Sequence, residues 1–191
     1  MRLRNHYFLL RHGKTTWENS EICYPPDNRR SVRLSKEGKA QIKQAAEELE
    51  KQGIDLIFSS DYLRVRQTAE IVARAVKIKP LIDKRLDDTD LGIYWGRPKA
   101  EFYQDFPPDP LKRFKMKPSG GESLSHVQKR VADFLKSLEK KYKREKILIV
   151  GHGDSLWFFE GAARGLSNQK LLNLAFVKKR FIQKGELRKI N

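Results

Sequence analysis

The feature that most constrains the fold of this chain is the alternation of short apolar runs with amphipathic segments of helical period. Three runs have the length and composition of buried strands: HYFLL at 6–10, LIFSS at 56–60 and ILIVGH at 147–152. Between the first two, SKEGKAQIKQAAEELEKQG places four apolar residues on one helical face, Ile42, Ala45, Ala46 and Leu49, and Gly53 is a stop signal. This alternation predicts a three-layer α/β sandwich, with a mostly parallel sheet flanked by helices.

Further elements continue the pattern along the chain. DYLRVRQTAEIVARAV at 61–76 and ESLSHVQKRVADFLKSLEKKY at 122–142 predict amphipathic helices, and KPLID at 79–83 predicts another strand. Asp61 is placed to cap the N-terminus of the first of these helices. Alternating apolar residues around a Lys-Gly pair in AFVKKRFIQKGELRKIN, at 175–191, predict an edge hairpin.

The length of 191 residues fits one domain with one core, and we expect it to span residues 1–191. The proline-rich stretch FPPDPLKRFKMKPSGG at 106–121 predicts a small cap-like excursion around residues 93–119. No apolar stretch approaches the roughly 20 residues of a membrane span, and MRLRNHYFLL runs into polar sequence without a cleavage-like site. Cys23 is the only cysteine, so no internal disulfide can form, and we expect a cytoplasmic protein.

The net charge of +16 raises the hypothesis of nucleic-acid binding through phosphate contacts. Acidic and basic residues are interspersed, however, as in LEKKYKREK at 138–146, which is typical of solvated helix faces. No basic stretch is interleaved with aromatic residues in the manner of a platform for stacked bases. The same charge would steer phosphorylated metabolites into a pocket, so we expect a small phosphorylated metabolite as the partner, with no nucleic acid and no membrane.

Cationic and imidazole side chains follow three of the predicted strands directly. Arg11 and His12 follow the first strand, and Arg64 lies on the opening turn of the helix after the second. His152 and Gly153 follow the third strand, where another helix begins. Because the carboxyl ends of parallel strands meet at one edge, and helix N-termini offer free amides to anions, these segments predict a phosphate pocket.

Five motifs in this order resemble the histidine phosphatase superfamily, also called the phosphoglycerate mutase-like family. They are RHGKT at 11–15, SSDYLRVRQTAEI at 59–71, LDDTDLGIYWG at 86–96, GGES at 120–123 and VGHG at 150–153. The likeness spans nearly the whole chain. It implies the phosphoglycerate mutase-like fold and an enzyme of the phosphatase branch that needs no metal and no cofactor. The sequence agrees in carrying neither HExxH nor an Asp-rich metal motif.

The resemblance assigns roles to the residues of the predicted pocket. It implies that His12 attacks phosphorus and becomes a phosphohistidine. Five further residues are implied to hold the phosphate oxygens or to bind the substrate: Arg11, Arg64, His152, Thr15 and Gly153. A nucleophilic imidazole must be neutral, and a neighbouring cation such as Arg11 lowers its pKa, so the Arg-His pair suits this chemistry.

A carboxyl group must protonate the leaving oxygen and then activate water, and the family supplies a glutamate in a pattern like LxExxxG. The matching position in LDDTDLG is Asp88, whose carboxyl group reaches one methylene less far. Asp87 and Asp90 are near in sequence and compete for this assignment. We take Asp88 as the general acid and base.

The loop after the first strand departs from the family pattern RHGETxWN. Lys14 stands where the family has an acid, and Glu18 stands where an asparagine contacts phosphate. Glu18 must therefore turn away or pair with a cation such as Lys14, or Asn19 takes its place. Arg29 and Arg30 are candidates for contacts that the family makes through glycine-arginine and glutamine-glycine pairs missing here.

Three function classes remain open at the level of sequence. The favoured class is a phosphomonoester hydrolase of small metabolites, because residues 97–119 are short for the insertion of family mutases. The alternative is a phosphoglycerate mutase that uses the same phosphohistidine, and the third class is a basic protein that binds nucleic acid or another anion without catalysis. The exposed C-terminal strand also predicts pairing with a second subunit as a homodimer.

Overall fold

A central five-stranded sheet organises the computed structural model, which describes residues 2–17, 21–106 and 114–191. The strands are β1 His6–Arg11, β2 Leu56–Ser59, β3 Leu81–Ile82, β4 Lys146–Gly151 and β5 Leu187–Lys189. They lie in the order β3-β2-β4-β1-β5, in which only β5 runs antiparallel to its neighbour. The predicted α/β fold with a mostly parallel sheet is therefore confirmed.

Helices cover both faces of the sheet. They are α1 Asn28–Ser31, α2 Lys36–Glu50, α3 Leu63–Val76, α4 Lys99–Asp105, α5 Leu124–Lys141, α6 Gly153–Arg164 and α7 Asn168–Leu172. Helices α2 and α3 pack on one face of the sheet, and α5 and α6 pack on the other. In β4, Ile147 and Ile149 face the α5–α6 side while Leu148 and Val150 face the α2–α3 side. Strands β1, β2 and β4 read as continuous apolar runs because the sheet is covered on both faces where they lie.

Helix α2 begins and ends where the sequence predicts. The Ser35 side chain accepts a hydrogen bond from the Gly38 amide at 3.0 Å, which caps the N-terminus. The four predicted apolar residues are buried. After Glu50 the chain turns, and Gly53 adopts φ +65°, a left-handed conformation that glycine tolerates without steric cost.

Asp61 does not cap α3, so that prediction is wrong. The helix begins at Leu63 with Tyr62 at the cap position, which puts Asp61 one residue too early to receive the helix amides. Its carboxylate instead lies 3.6 Å from Arg29 and 3.9 Å from Arg66. The side-chain acceptor at the start of α3 is instead Ser60 Oγ, which receives the Tyr62 amide at 3.3 Å.

The predicted C-terminal hairpin is also wrong, because β5 forms there without a preceding partner strand. A π-helical turn at Asn173–Val177 and irregular chain precede it. Ile182 is buried in the core, and the Gly185 amide donates to the carbonyl groups of Arg11 and His12 at 3.2 and 3.1 Å. This segment is thus held at the end of β1, and its link to β5 is a side-chain bond from Arg188 Nη1 to the Arg180 carbonyl at 3.1 Å rather than strand pairing. Pairing of the edge strand β5 with a second subunit stays a prediction.

The predicted excursion contains α4 and a small aromatic cluster, while its residues 107–113 lie outside the described part of the chain. Tyr94, Phe102 and Phe106 form that cluster, and the last two rings are stacked at 4.9 Å. A hydrogen bond of 2.7 Å from the Gly96 amide to the Tyr24 carbonyl joins the excursion to the loop after β1. Among the helices of the described residues, none combines the length and apolar character that a membrane crossing requires.

Candidate active site

The sheet order brings the carboxyl ends of β2, β4 and β1 side by side, and the candidate residues follow these strands. His12 follows β1 and His152 follows β4, with their ring centroids 5.5 Å apart. Arg64 reaches the same place from α3, with its Nη2 atom 3.4 Å from His152 Nδ1. Asp88 arrives from the loop after β3. The structure thus brings together four of the residues singled out from the sequence, and their chemical roles stay predictions.

His12 is buried, and its hydrogen bonding determines which ring nitrogen is protonated. Its Nδ1 atom lies 2.9 Å from the Gly13 carbonyl oxygen, which can only accept, so Nδ1 carries the proton and Nε2 keeps its lone pair. Burial, followed by the positive charge of Arg64, holds the pKa of His12 well below its usual range. The ring therefore has the neutral form and the free nitrogen that a nucleophile requires.

Two glycines of the family motifs lie so close to neighbouring groups that a side chain would not fit there. A Cβ atom at Gly13 would lie 2.5 Å from the Gly38 carbonyl oxygen, and one at Gly153 would lie 2.8 Å from the Phe181 ring. Gly153 thereby allows Arg11 and Phe181 to pack over the start of α6, where the Arg11 guanidinium lies 5.8 Å from the Phe181 ring centre. Gly13 allows the loop after β1 to pack against the backbone of α2 at Gly38.

Arg11 and Arg64 each present a buried Nε atom that has no hydrogen-bond partner among the described residues. The Arg11 Nη1 atom donates to the Ile182 carbonyl at 2.8 Å, which fixes the guanidinium in place, and burial lowers the pKa of Arg11. A buried donor without a partner is costly, and a phosphate oxygen is the acceptor that a guanidinium fork suits. These two groups are the strongest indication of an anion site.

Arg64 is held by residues that carry no signal in the sequence. Its Nη1 atom donates to the Asn28 carbonyl and side-chain oxygens at 3.2 and 3.1 Å. Its guanidinium lies 4.6 Å from the Tyr24 ring centre and 4.7 Å from that of Tyr62. These residues come from the loop after β1 and from the start of α3, so only the folded chain reveals that they orient Arg64.

Asp88 is the carboxylate that faces the histidines. Its Oδ2 atom accepts from Arg64 Nη2 at 2.8 Å and lies 3.2 Å from His152 Nδ1. Burial alone would raise the pKa of Asp88, but His152 and Arg64 outweigh it and hold that pKa well below the usual range. The carboxylate is therefore ionised in the free protein.

The two competing aspartates point elsewhere. Asp87 accepts from Arg29 Nη2 at 2.7 Å and from Ser60 Oγ at 3.0 Å. Asp90 accepts from the Gly92 amide at 2.9 Å and from the Trp95 indole at 2.8 Å, which stabilises the turn before the excursion. Of the three aspartates, only Asp88 contacts both Arg64 and His152 in the described residues, which favours it for the acid-base role.

His152 is buried between α3 and the loop after β3. Its Nε2 atom lies 3.0 Å from Ser60 Oγ, and its ring stacks edge-on against Tyr62 at 4.8 Å between centroids. Burial lowers the pKa of His152 and Arg64 lowers it further, while Asp88 opposes this change. Ser60 belongs to the motif SSDYLRVRQTAEI, from which the sequence assigned a role in the predicted pocket only to Arg64; its position at the end of an apolar run was the available signal.

The residues at which the loop departs from the family pattern have other partners. Lys14 pairs with Glu37 at 3.1 Å, and Glu18 and Asn19 lie outside the described residues. Arg29 pairs with Asp61 and Asp87, so its predicted contact with phosphate has no support in the structure. Arg30 is exposed. Thr15 is buried, with its hydroxyl 3.4 Å from that of Tyr24, and lines an outer cavity with Arg11 and Lys14 rather than the cavity of His12. Substrate binding by Thr15 stays a prediction.

Two adjoining cavities open at the site. One of about 300 Å³ is lined by Arg11, His12, Asp88 and Gly153, and one of about 310 Å³ lies beside it. They share a set of lining residues: Cys23, Thr89, Leu91, Lys99, Asp154 and Phe181. The walls of the second cavity are largely apolar and include Phe102, Phe106, Met116 and Phe176. Within the described ranges, no group of three or more His, Cys, Asp or Glu is placed to hold a metal ion.

The fold and the site define an α/β protein in which a neutral histidine and two arginines with buried Nε atoms lie at the carboxyl edge of the parallel strands. The family model of the histidine phosphatase superfamily (branch 1) matches residues 7–180. The chain belongs to this superfamily, and it is an enzyme of the histidine phosphatase type. The family resemblance noted in the sequence is confirmed.

Known relatives include both phosphatases and mutase-like proteins. The chain is 30% identical over 152 residues to phosphoserine phosphatase 1 of Hydrogenobacter thermophilus, covering 75% of this chain and 69% of that protein. It is 32% identical over 175 residues to phosphoglycerate mutase-like protein 4 of Arabidopsis thaliana, covering 86% and 74%. A mycobacterial glucosyl-3-phosphoglycerate phosphatase solved with VO3 has 25% identity and a TM-score of 0.79, over 96% of this chain and 90% of that one.

Proposed function

We propose that the protein is a metal-independent phosphomonoester hydrolase that acts on small phosphorylated metabolites through a phosphohistidine at His12. One observation carries the proposal: a buried histidine with a free Nε2 lone pair lies beside two arginines whose buried Nε donors have no partner among the described residues. The guanidinium groups supply the positive charge that a metal ion supplies in other phosphatases.

The reaction proceeds in two steps. In the first, His12 Nε2 attacks phosphorus, the bond from phosphorus to the ester oxygen breaks, and Asp88 gives a proton to the leaving oxygen. In the second, Asp88 takes a proton from water, whose oxygen attacks phosphorus, and the phosphorus–nitrogen bond breaks to restore His12. Arg11, Arg64 and His152 hold the remaining phosphate oxygens throughout.

Arg64 links substrate binding to the protonation of Asp88. In the free protein Arg64 donates to Asp88 at 2.8 Å and helps to keep that carboxylate ionised. A bound phosphate takes over donors of Arg64 and adds negative charge beside Asp88. Both changes raise the pKa of Asp88, so the carboxyl group gains its proton when a leaving oxygen is there to receive it.

The second cavity supports hydrolysis over the mutase alternative. A phosphoglycerate mutase must also bind the carboxylate of its substrate, whereas this cavity has Lys99 but also Asp154 and Glu122 among the described residues that line it. Its aromatic and aliphatic walls favour an alcohol part with an apolar body. We therefore propose phosphomonoesters of small, partly apolar alcohols as the substrate class.

The test is turnover of p-nitrophenyl phosphate in the presence of a chelator. His12→Ala should abolish turnover, while the matched control His126→Ala, an exposed position in α5, should retain it. Rapid quenching with ³²P-labelled substrate should give an acid-labile phosphoprotein only when His12 is present. Full activity in His12→Ala would contradict the mechanism.

A panel of phosphorylated metabolites, including 3-phosphoglycerate with detection of its isomer, then separates hydrolase from mutase by released phosphate. An inactive wild-type protein with a steeply salt-dependent affinity for DNA would instead favour the nucleic-acid hypothesis.

A further inference from the structure

Ser60 is a buried hydroxyl whose hydrogen-bonding capacity is fully used. Its oxygen accepts from the Tyr62 amide at 3.3 Å and lies 3.0 Å from both Asp87 Oδ1 and His152 Nε2. A hydroxyl has one proton to donate and two lone pairs to accept with, and the Tyr62 amide takes one lone pair. The state of Ser60 therefore depends on which of Asp87 and His152 receives its proton.

Asp87 is a carboxylate surrounded by donors, which makes it the stronger acceptor. Besides Ser60, it receives the Asp61 amide at 3.3 Å and Arg29 Nη2 at 2.7 Å. A hydroxyl bond to an ionised acceptor is stronger than one to a neutral imidazole nitrogen. When Ser60 donates to Asp87, its remaining lone pair has to accept a proton from His152 Nε2.

His152 Nδ1 is the nitrogen directed to the reaction site, because it lies beside Arg64 Nη2 and Asp88 Oδ2. In the free protein Arg64 Nη2, which can only donate, lies 3.4 Å from Nδ1 and 2.8 Å from Asp88 Oδ2, so Nδ1 accepts there and carries no proton. A phosphate that takes over Arg64 presents an acceptor to Nδ1 instead, and this new contact needs a proton on Nδ1 as well. With Nε2 already bound to Ser60 as a donor, both ring nitrogens then carry protons.

We propose that Asp87 is a positioning residue that acts through Ser60 to make His152 a cation when phosphate is bound. The second proton comes from solvent as the phosphate enters, and the imidazolium then donates to a phosphate oxygen through Nδ1. A neutral His152 could donate to that oxygen as well, but with a weaker hydrogen bond and no charge to stabilise the transition state. This inference rests on the proposed function, because it assigns the form of His152 in the phosphate complex.

The groups around His152 come from four segments and must be considered together. Helix α3 and its cap contribute Arg64 and Tyr62, and the loop after β3 contributes Asp88 and Asp87. The end of β1 contributes His12. The first turn of α6, which begins directly after His152, contains Asp154. In the free protein, burial and Arg64 prevail and the pKa of His152 is lowered. A bound phosphate dianion opposes Arg64 and itself favours a positive charge on the ring, which allows Asp87 to stabilise the imidazolium through Ser60.

The test measures the protonation of His152 by ¹H–¹⁵N NMR in protein labelled on its four histidines and saturated with inorganic phosphate. Both ring nitrogens of His152 should be protonated near neutral pH. Asp87→Asn should lower the titration midpoint of His152 in the phosphate complex by about one pH unit, a tenfold loss of proton affinity. In the free protein His12 gives an internal reference, because its proton is expected on Nδ1 alone.

Arg29→Gln is the matched control, since it breaks the same ion pair from the other side. It leaves the Asp87 charge less neutralised, so the midpoint of His152 should stay or rise rather than fall. Ser60→Ala removes the hydroxyl that links Asp87 to His152. In this background, Asp87→Asn should change the titration midpoint of His152 much less than it does in the wild type. This comparison separates an effect through Ser60 from a general loss of structure.

A kinetic split gives a second readout. Asp87→Asn should reduce kcat about tenfold, the cost of one weakened hydrogen bond in the transition state, with a smaller change in KM. A neutral His152 in the wild-type phosphate complex, or equal midpoints in wild type and Asp87→Asn, would overturn the inference even if the phosphatase activity is found. Phosphate that leaves the resonances of His12 and His152 unmoved would overturn the proposed function as well.

Discussion

Arg64→Lys tests the site most directly, because it keeps the positive charge and removes the planar fork. Arg64 is fully buried and donates from Nη1 to two oxygens of Asn28 and from Nη2 to Asp88. A lysine ammonium at this position can reach Asp88 but cannot also reach Asn28 or lie flat between two tyrosine rings.

The expected loss follows from these contacts. Two hydrogen bonds to Asn28 disappear, at about 1 kcal/mol each, and their buried acceptors lose a donor, so the free energy of unfolding should fall by about 2–4 kcal/mol. In the transition state one preorganised phosphate ligand is lost, and kcat/KM should fall by about 10²–10³-fold.

The assay combines urea unfolding, read by tryptophan fluorescence, with kcat/KM for an alkyl phosphate. Arg66→Lys is the matched control, because Arg66 lies two residues further along α3 with a half-exposed side chain. This change should leave stability within about 0.5 kcal/mol of the wild type and activity unchanged. Wild-type kcat/KM in Arg64→Lys would refute a role for the guanidinium fork in holding phosphate.

Three further predictions concern protonation and the leaving group. Because folding lowers the pKa of His12, the unfolded chain binds more protons than the folded one below the ordinary value of 6.5, so stability should decrease as the pH is lowered below that value. For the same reason, protonation of His12 should not reduce kcat/KM near pH 6.5. Unfolding at several pH values and the pH–rate profile check this, and a midpoint at 6.5 that depends on His12 would contradict it. Asp88→Asn should reduce kcat/KM, which reports the first step, by about 10²–10⁴-fold for alkyl phosphates but far less for p-nitrophenyl phosphate, since nitrophenolate leaves without a proton; equal losses of kcat/KM for both esters would exclude the acid role. Each methylene added to an alkyl phosphate should raise kcat/KM about three- to fourfold, because burying a methylene in the second cavity contributes ~0.8 kcal/mol. Phe176→Ser should reduce this dependence of kcat/KM on chain length. If kcat/KM of the wild type does not depend on chain length, the apolar cavity is not part of the substrate site.

The fold could be predicted from local patterns because each pattern has a local physical cause. The apolar runs of β1, β2 and β4 are continuous since both faces of the sheet are covered, and the face of α2 follows from the helical period. The failures at Asp61 and at the C-terminal segment share another cause. In both places, contacts with distant residues, namely Arg29 and the carbonyl of Arg11, replace the local pairing that the sequence suggests.

The site could be predicted only in part. Arg11, His12, Arg64 and His152 were identifiable because each follows a strand that ends at the same edge of the sheet. Among three neighbouring aspartates, however, the choice depends on the direction of each side chain after a short turn. The partners of Arg64, which are Asn28, Tyr24 and Tyr62, lie as many as 40 residues away in sequence and leave no local pattern.

The sequence by itself determined the alternation of strands and helices along the chain, the family, and the strand ends at which polar side chains gather. These features follow from periodicity and chain direction, which are properties of short segments. Only the tertiary structure decided the protonated nitrogen of His12, the ionised state of Asp88 and the attachment of Ser60 to Asp87 and His152. These properties depend on burial and on charges brought together from separate segments, and such fields exist only once the chain has folded.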